Sequence, residues 1–292
     1  TKAAMAVEEK PNGVVIGFDK LNDIGKRVGD RVQFTSTNYK DLVFDMEIIV
    51  VDDCSPDDTP QVAAEFPQVQ YLRLQKNSGA SGARNAGIKR ARGKYVALLD
   101  DDDEFLTHKL MVQVPILEAH PEVGVLYGQS VVTGSEVPLL LWPEWGPSGN
   151  VLEAFVTTTD AFLHPPTWLV RRELFERAGY FDETKAGMEH YDMALRIAAL
   201  TPWMFLAGGP VARGRYSQQG LWYSTIVNGT NEQQLPRIVE AALERLPATA
   251  EADRVRRKAR AAVCASIAHQ RWWSGGGLKP TREHLLMSLS AA

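Results

Sequence analysis

Two apolar runs in this chain each end in a knot of carboxylates, and that pairing limits what the chain can build. Glu47-Ile48-Ile49-Val50-Val51 is apolar and β-branched after its first residue, and it ends at Asp52-Asp53-Cys54-Ser55-Pro56-Asp57-Asp58. Tyr95-Val96-Ala97-Leu98-Leu99 has the same character and ends at Asp100-Asp101-Asp102-Asp103-Glu104. Strands without polar alternation are covered on both faces, the habit of parallel sheets. Ligands of open α/β sheets bind at the carboxyl ends of such strands. Carboxylates gathered there repel one another unless something positive joins them. Hard oxygen donors select Mg2+ or Mn2+, which complete their shell with phosphate and water. The pattern points to a metal-bound phosphate ester, a nucleotide in the first instance. A solvated loop accounts for one acidic cluster but poorly for two. An EF-hand reading of Asp100, Asp102 and Glu104 fails, because no glycine stands at the sixth loop position.

Around these runs the pattern alternates between strand and helix. A short strand is expected at 14–16 after a loose tail at 1–12, and a helix at 23–34 despite Gly25 and Gly29. A helix at 60–66, a strand at 69–74, a helix at 83–92 stopped by Gly93 and a helix at 107–119 complete the first part. This order argues for an open, mostly parallel, Rossmann-like sheet with helices on both faces. Further on, strands are expected at 123–127, 130–133 and 167–171, a long loop at 138–150, and helices at 172–178 and 191–200. From about 232 helical signals dominate, broken at Pro247 and at Gly275-Gly276-Gly277. The expected division is a catalytic domain at 1–212 (nucleotide part about 14–104, acceptor part about 105–212) and a helical C-terminal extension at 213–292.

Composition closes off other classes. Hydrophobic residues at 45% and charged residues at 23% describe a globular chain, not a disordered one. A net charge of -4 leaves no overall basic field for nucleic acid. Two cysteines, Cys54 and Cys264, build no disulfide framework, which fits a reducing, cytoplasmic setting. No apolar run approaches the roughly 18 residues that span a bilayer, and the first thirteen residues lack an apolar signal core.

The segments EIIVVDDCSPDDT, NSGASGARNAG and GKYVALLDDDDEF, in that order, resemble family 2 glycosyltransferases of the GT-A fold. HPPTWLVRRELFERAGYFDE and MEHYDMALRIA continue the resemblance, which covers about 14–212. It implies an inverting transfer of a sugar from a nucleotide-diphosphate donor, of uridine or thymidine type, to an acceptor hydroxyl, with Mn2+ or Mg2+. Asp52 or Asp53 would hydrogen-bond the base, and Arg84 would lie near the nucleotide. Asp100 and Asp102 match the acids of the DxD motif: Asp100 would meet the ribose or metal-bound water, Asp102 the metal, with Asp103 the next ligand. Glu189 and His190 match the segment of the catalytic base, Glu189 ranked first.

The chain departs from the family pattern in three places. The first strand leads into Gly17-Phe18-Asp19-Lys20 where the family has Pro-x-Tyr-Asn, so Phe18 would stack on the base. Glu189-His190 stands for the usual Glu-Asp pair. No histidine follows the catalytic helix in 212–217, and Arg213 or Arg215 would neutralise the diphosphate instead.

Acceptor contacts are expected from loops. His164, Trp142 and Trp145 are the candidates for an acceptor that is a saccharide, lipid-linked or a small molecule, although each has an ordinary packing reading beside it. The basic stretch Arg254 to Arg260, followed by Arg271-Trp272-Trp273, reads as a helix packed on the domain, with peripheral membrane contact the second reading. Two other functions stay open: a non-catalytic sugar-nucleotide-binding protein, favoured by His190, and a nucleotidyltransferase, which would want a basic glycine-rich loop after the first strand.

Overall fold

The computed structural model describes residues 3–6, 46–133, 140–159, 163–215 and 220–273. Phe18, the strand expected at 14–16 and the helix expected at 23–34 lie outside them.

The acid-tipped runs form strands as their composition demands. β1 (Ala3–Ala6) precedes β2 (Ile49–Asp52), and β2 is buried along its whole length. Pro60 inside the first turn starts α1 (Thr59–Ala64), its fixed φ already helical. β3 (Gln70–Arg73) pairs in parallel with β2, Asp52 opposite Arg73. α2 (Gly79–Arg90) then leads to β4 (Tyr95–Leu99), every residue of which is buried. β5 (Glu104–Phe105) and α3 (Lys109–Ala119) follow.

The larger sheet is assembled from both halves of the chain. β6 (Val125–Thr133), β7 (Leu140–Trp142), β8 (Leu169–Arg171) and β9 (Trp203–Arg215) complete a seven-stranded sheet in the order β1-β4-β8-β6-β9-β5, with β7 on the edge of β6. The α/β architecture of GT-A type and the helical C-terminal part are as expected. Among the described strands the pairing is mixed: β2–β3 and β6–β9 are parallel, whereas β1 and β8 flank β4 antiparallel. A strand buried on both faces has the same composition in either case, so the apolar run of β4 could not reveal the direction of its neighbours. The tail expected to be loose contributes β1. The loop expected at 138–150 contains β7, and the two strands expected at 123–127 and 130–133 are one, with a register shift at Gly128–Ser130 against β9. The boundary expected at 212 falls inside β9.

Helices cover the sheet. α4 (Leu152–Thr158), α5 (Glu173–Ala178) and α6 (Glu189–Ala198) precede β9, and α7 (Leu221–Val227), α8 (Thr230–Leu243) and α9 (Ala250–Trp273) follow it. Gly179 ends α5 in the left-handed conformation, φ +88°. Under these helices Tyr127, Phe155, Trp168 and Trp203 pack edge to face, the Phe155 and Trp203 rings 5.1 Å apart. Such pairs add about 0.5–1.5 kcal/mol each beyond area burial. Among the described residues no helix is long and apolar enough to cross a membrane.

Candidate active site

A cavity of about 890 Å³ opens at the carboxyl end of β4. Asp100 to Asp103 line it, together with Arg84 from α2 and Glu189 and His190 from α6. These residues are far apart in the chain, and one guanidinium ties them together. Arg84 Nη2 donates to both oxygens of Asp100, at 2.8 and 2.7 Å, and Nη1 donates to Glu189 Oε1 at 2.8 Å. The Arg84 side chain is only 3% exposed. Burial alone would lower its pKa; the charges of Asp100 and Glu189 outweigh that and raise it.

The neighbour of Arg84 in the Gly-Ala-Arg-Asn segment holds this arrangement in place. Asn85 donates to Phe181 O at 2.9 Å and accepts from Phe181 N at 2.8 Å. That amide pair fastens the segment leading to α6 onto α2. Sequence reasoning missed Asn85; the signal was its position beside Arg84. α6 begins at Glu189, two residues earlier than expected, so Glu189 and His190 occupy its first turn, where the helix dipole favours a carboxylate. Burial would raise the Glu189 carboxyl, but the Arg84 and His190 charges and hydrogen bonding bring it below the usual glutamate value. Glu189 Oε2 is buried with no hydrogen-bond partner among the described residues. Asp192, in the same first turn as Glu189, pairs with Lys185 at 3.0 Å and Arg196 at 2.7 Å and serves the helix.

The acids after β4 differ sharply in their partners. Asp103 accepts from Arg215 N at 3.2 Å, and its Oδ2 lies 3.4 Å from His164 Nε2. Asp102 faces solvent at the cavity mouth. Partial desolvation inside the cleft and the negative charges of Asp103, Asp100 and Asp101 push its carboxyl up to about 6. Gly214 makes room for the His164 ring: a Cβ there would lie 2.7 Å from His164 Cε1.

The remaining expected residues divide between cavity and scaffold. His164 and Trp142 both line the cavity, their rings edge to face at 6.3 Å, and Arg215 lines it too. Arg213 pairs with Glu104 at 2.7 Å across β5 and β9 and is not among the lining residues, nor is Trp145, which is 63% exposed. Asp52 is fully buried and accepts from Ser55 N at 2.7 Å, Arg73 Nη1 at 2.8 Å and the Tyr71 hydroxyl. Asp53 accepts from Ser78 N at 2.7 Å, joining the end of β2 to the start of α2. Neither Asp52 nor Asp53 lines the cavity. Ser266, His269 and Gln270 of α9 do line it, and sequence reasoning assigned them nothing.

The profile described as Glycosyl transferase family 2 matches residues 37–179. Over that segment, just under half of the chain, the sequence is similar to glycosyl transferase family 2. The family 2 segment holds Arg84, Asp100 to Asp103 and His164, whereas Glu189, Arg215 and α7–α9 lie beyond its end. The chain is 33% identical over 180 residues to the succinoglycan biosynthesis protein ExoO of Rhizobium meliloti, a match covering 58% of this chain and 49% of that protein. It is 38% identical over 85 residues to the UDP-Glc:alpha-D-GlcNAc-diphosphoundecaprenol beta-1,3-glucosyltransferase WfaP of Escherichia coli, covering 28% and 32% of the two chains. The chain spans about half the length of the first of these relatives. The crystal structure of S. aureus TarS 1-349 in complex with UDP superposes with a TM-score of 0.64 at 17% identity, covering 96% of this chain and 80% of that one. At that identity the likeness concerns the fold.

Proposed function

We propose that this chain transfers a sugar from a nucleotide-diphosphate donor to an acceptor hydroxyl with inversion, and that Glu189 is the general base. The observation that carries the reading is the Arg84 bridge, which joins the carboxylates after β4 to a buried glutamate with one unpartnered oxygen. Arg84 holds Glu189 Oε1, which leaves Oε2 to accept the proton of the acceptor hydroxyl. The acceptor oxygen then bonds to the anomeric carbon as the bond to the diphosphate oxygen breaks. Arg215 lines the same cavity and offers a guanidinium to the departing diphosphate. The uridine-containing ligand of the structurally similar TarS and the UDP-glucose in the name of WfaP favour a uridine-type donor.

A divalent cation fits the acids after β4. Asp100 is committed to Arg84 and Asp103 to Arg215 N and His164, so Asp102 is the carboxylate with free capacity. Among the described residues no group of three or more histidine, cysteine or acidic side chains forms a ready-made cage. Sites of the Mg2+ type need only one or two carboxylates, with phosphate and water for the rest. Asp102, with Asp100 or Asp103 as second donor, would hold Mn2+ or Mg2+, and the ion would neutralise charge on the diphosphate.

The test is release of nucleoside diphosphate from UDP-glucose and UDP-N-acetylglucosamine with Mn2+ and with chelator. The expected result is UDP release that needs the metal. Pyrophosphate in place of UDP would identify a nucleotidyltransferase. Binding of UDP without any turnover would identify a binding protein.

A further inference from the structure

The lining of the cavity contains two chemically distinct sets of residues. One set is charged: Arg84, Asp100 to Asp103 and Glu189. The other comprises Trp142 from β7, Leu221 and Ile226 from α7, and Ser266, His269 and Gln270 from α9. That second wall mixes apolar and aromatic surface with neutral hydrogen-bonding groups and, apart from His269, has no ionisable side chain among these six. Ser266 and Gln270 lie one helical turn apart on one face, Gln270 Nε2 3.4 Å from Ser266 Oγ, and His269 packs against Trp272 with ring centres 6.2 Å apart. Gln270 and Ser266 are only partly covered and His269 is exposed, so their polar atoms remain open to a ligand.

The wall is joined rigidly to the reacting end. Gly187, two residues before Glu189, has φ +84°, and a Cβ there would run into the Thr225 side chain of α7. Of the C-terminal helices, α7 therefore packs directly on the turn that presents Glu189. These helices also lie beyond the family 2 segment at 37–179, so their contacts can differ between relatives that share the donor end.

We propose that α9 is the specificity wall of the acceptor subsite: Ser266, His269 and Gln270 hydrogen-bond the hydroxyls of a saccharide acceptor whose apolar ring face lies on Trp142. A sugar ring is neutral, apolar on its faces and rich in hydroxyls at its rim, which matches this wall better than the charged residues around Asp100 and Glu189. Concave sites bind through mostly apolar surface with a few placed polar groups, and here α9 supplies the latter. The inference rests on the glycosyl-transfer reading and names where its acceptor is selected.

Saturation-transfer NMR with p-nitrophenyl glycosides of glucose, galactose and N-acetylglucosamine tests this in the presence of UDP and Mn2+. The wild-type protein should bind at least one of them. The variant His269→Ala/Gln270→Ala should weaken that binding about tenfold or more, the loss of two hydrogen-bonding groups, with UDP affinity by calorimetry unchanged. Both positions are open to solvent, and Ser266→Val offers a second variant with the helix intact. Wild-type-like glycoside binding in both variants overturns the proposal, as does a wild-type protein that binds UDP and none of the glycosides. Absence of UDP binding and of UDP-sugar turnover in the wild type overturns the glycosyl-transfer reading instead.

Discussion

Arg84 Nη1 lies 2.8 Å from Glu189 Oε1, across 105 positions of sequence, with both side chains at most 5% exposed. A buried charge left without its partner is costly, and each of these depends on the other. Arg84→Met should therefore destabilise the protein by about 3–5 kcal/mol, the range for breaking a buried ion pair from one side. Denaturant unfolding at pH 7.5 measures it. The effect fades in acid: Glu189 is held below its ordinary value, so its share of the stability is present at neutral pH and is lost as pH falls through its folded pKa. The gap between wild type and Arg84→Met should accordingly shrink toward about pH 4, once carboxylates protonate. A gap that stays constant with pH would remove the ion pair as its cause.

Glu189→Gln separates binding from chemistry. Glutamine keeps the shape and can still meet Arg84 through its carbonyl, but it takes no proton. Transfer should fall by at least about a hundredfold while UDP affinity changes little. With wild-type protein, the low carboxyl of Glu189 predicts a rate with no inflection between about pH 6 and pH 8. A rate that falls with the histidine value, near about 6.5, would move the role to His190.

Asp102 carries a pH signature of the opposite sign. Its carboxyl is raised to about 6, so in metal-free protein the folded state holds that proton more tightly than the unfolded chain. Its contribution is favourable at low pH and is lost as pH rises through about 6. Asp102→Asn should raise the metal-free melting temperature at pH 7.5 by about 1–3 °C, an effect limited by solvent screening, and should change it little at pH 4. The same variant should lose the stabilisation that Mn2+ with UDP gives the wild type. Differential scanning fluorimetry reads both.

Gly214 and His164 offer a packing test. A methyl group at 214 meets His164 Cε1 at 2.7 Å and Nε2 at 3.1 Å, with Asp103 Oδ1 behind at 3.5 Å. Gly214→Ala should cost about 1–3 kcal/mol, the usual toll of overpacking. His164→Ala opens that space, so the double variant should recover part of the loss. Additive single effects in a double-mutant cycle would show that the two positions do not meet.

Much of this protein is legible in its sequence, for local reasons. The apolar runs that became β2 and β4, and the acid knots at their ends, follow from side-chain composition over five or six residues. Glu189 stands within the segment MEHYDMALRIA, whose pattern resembles a known family and which forms α6. What the chain alone could not disclose depends on neighbours distant in sequence. Asp52 looked as available as Asp102, yet Tyr71, Arg73 and Ser55 N consume its lone pairs while Asp102 faces the cavity mouth. Arg84 became the bridge between Asp100 and Glu189 only because Asn85 fastens α2 to Phe181. The antiparallel partners of β4 were hidden because a strand buried on both faces reads alike in either direction. Ser266, His269 and Gln270 reached the cavity for a similar reason: helical periodicity tells which residues share a face, but only packing against the rest of the molecule decides what that face meets.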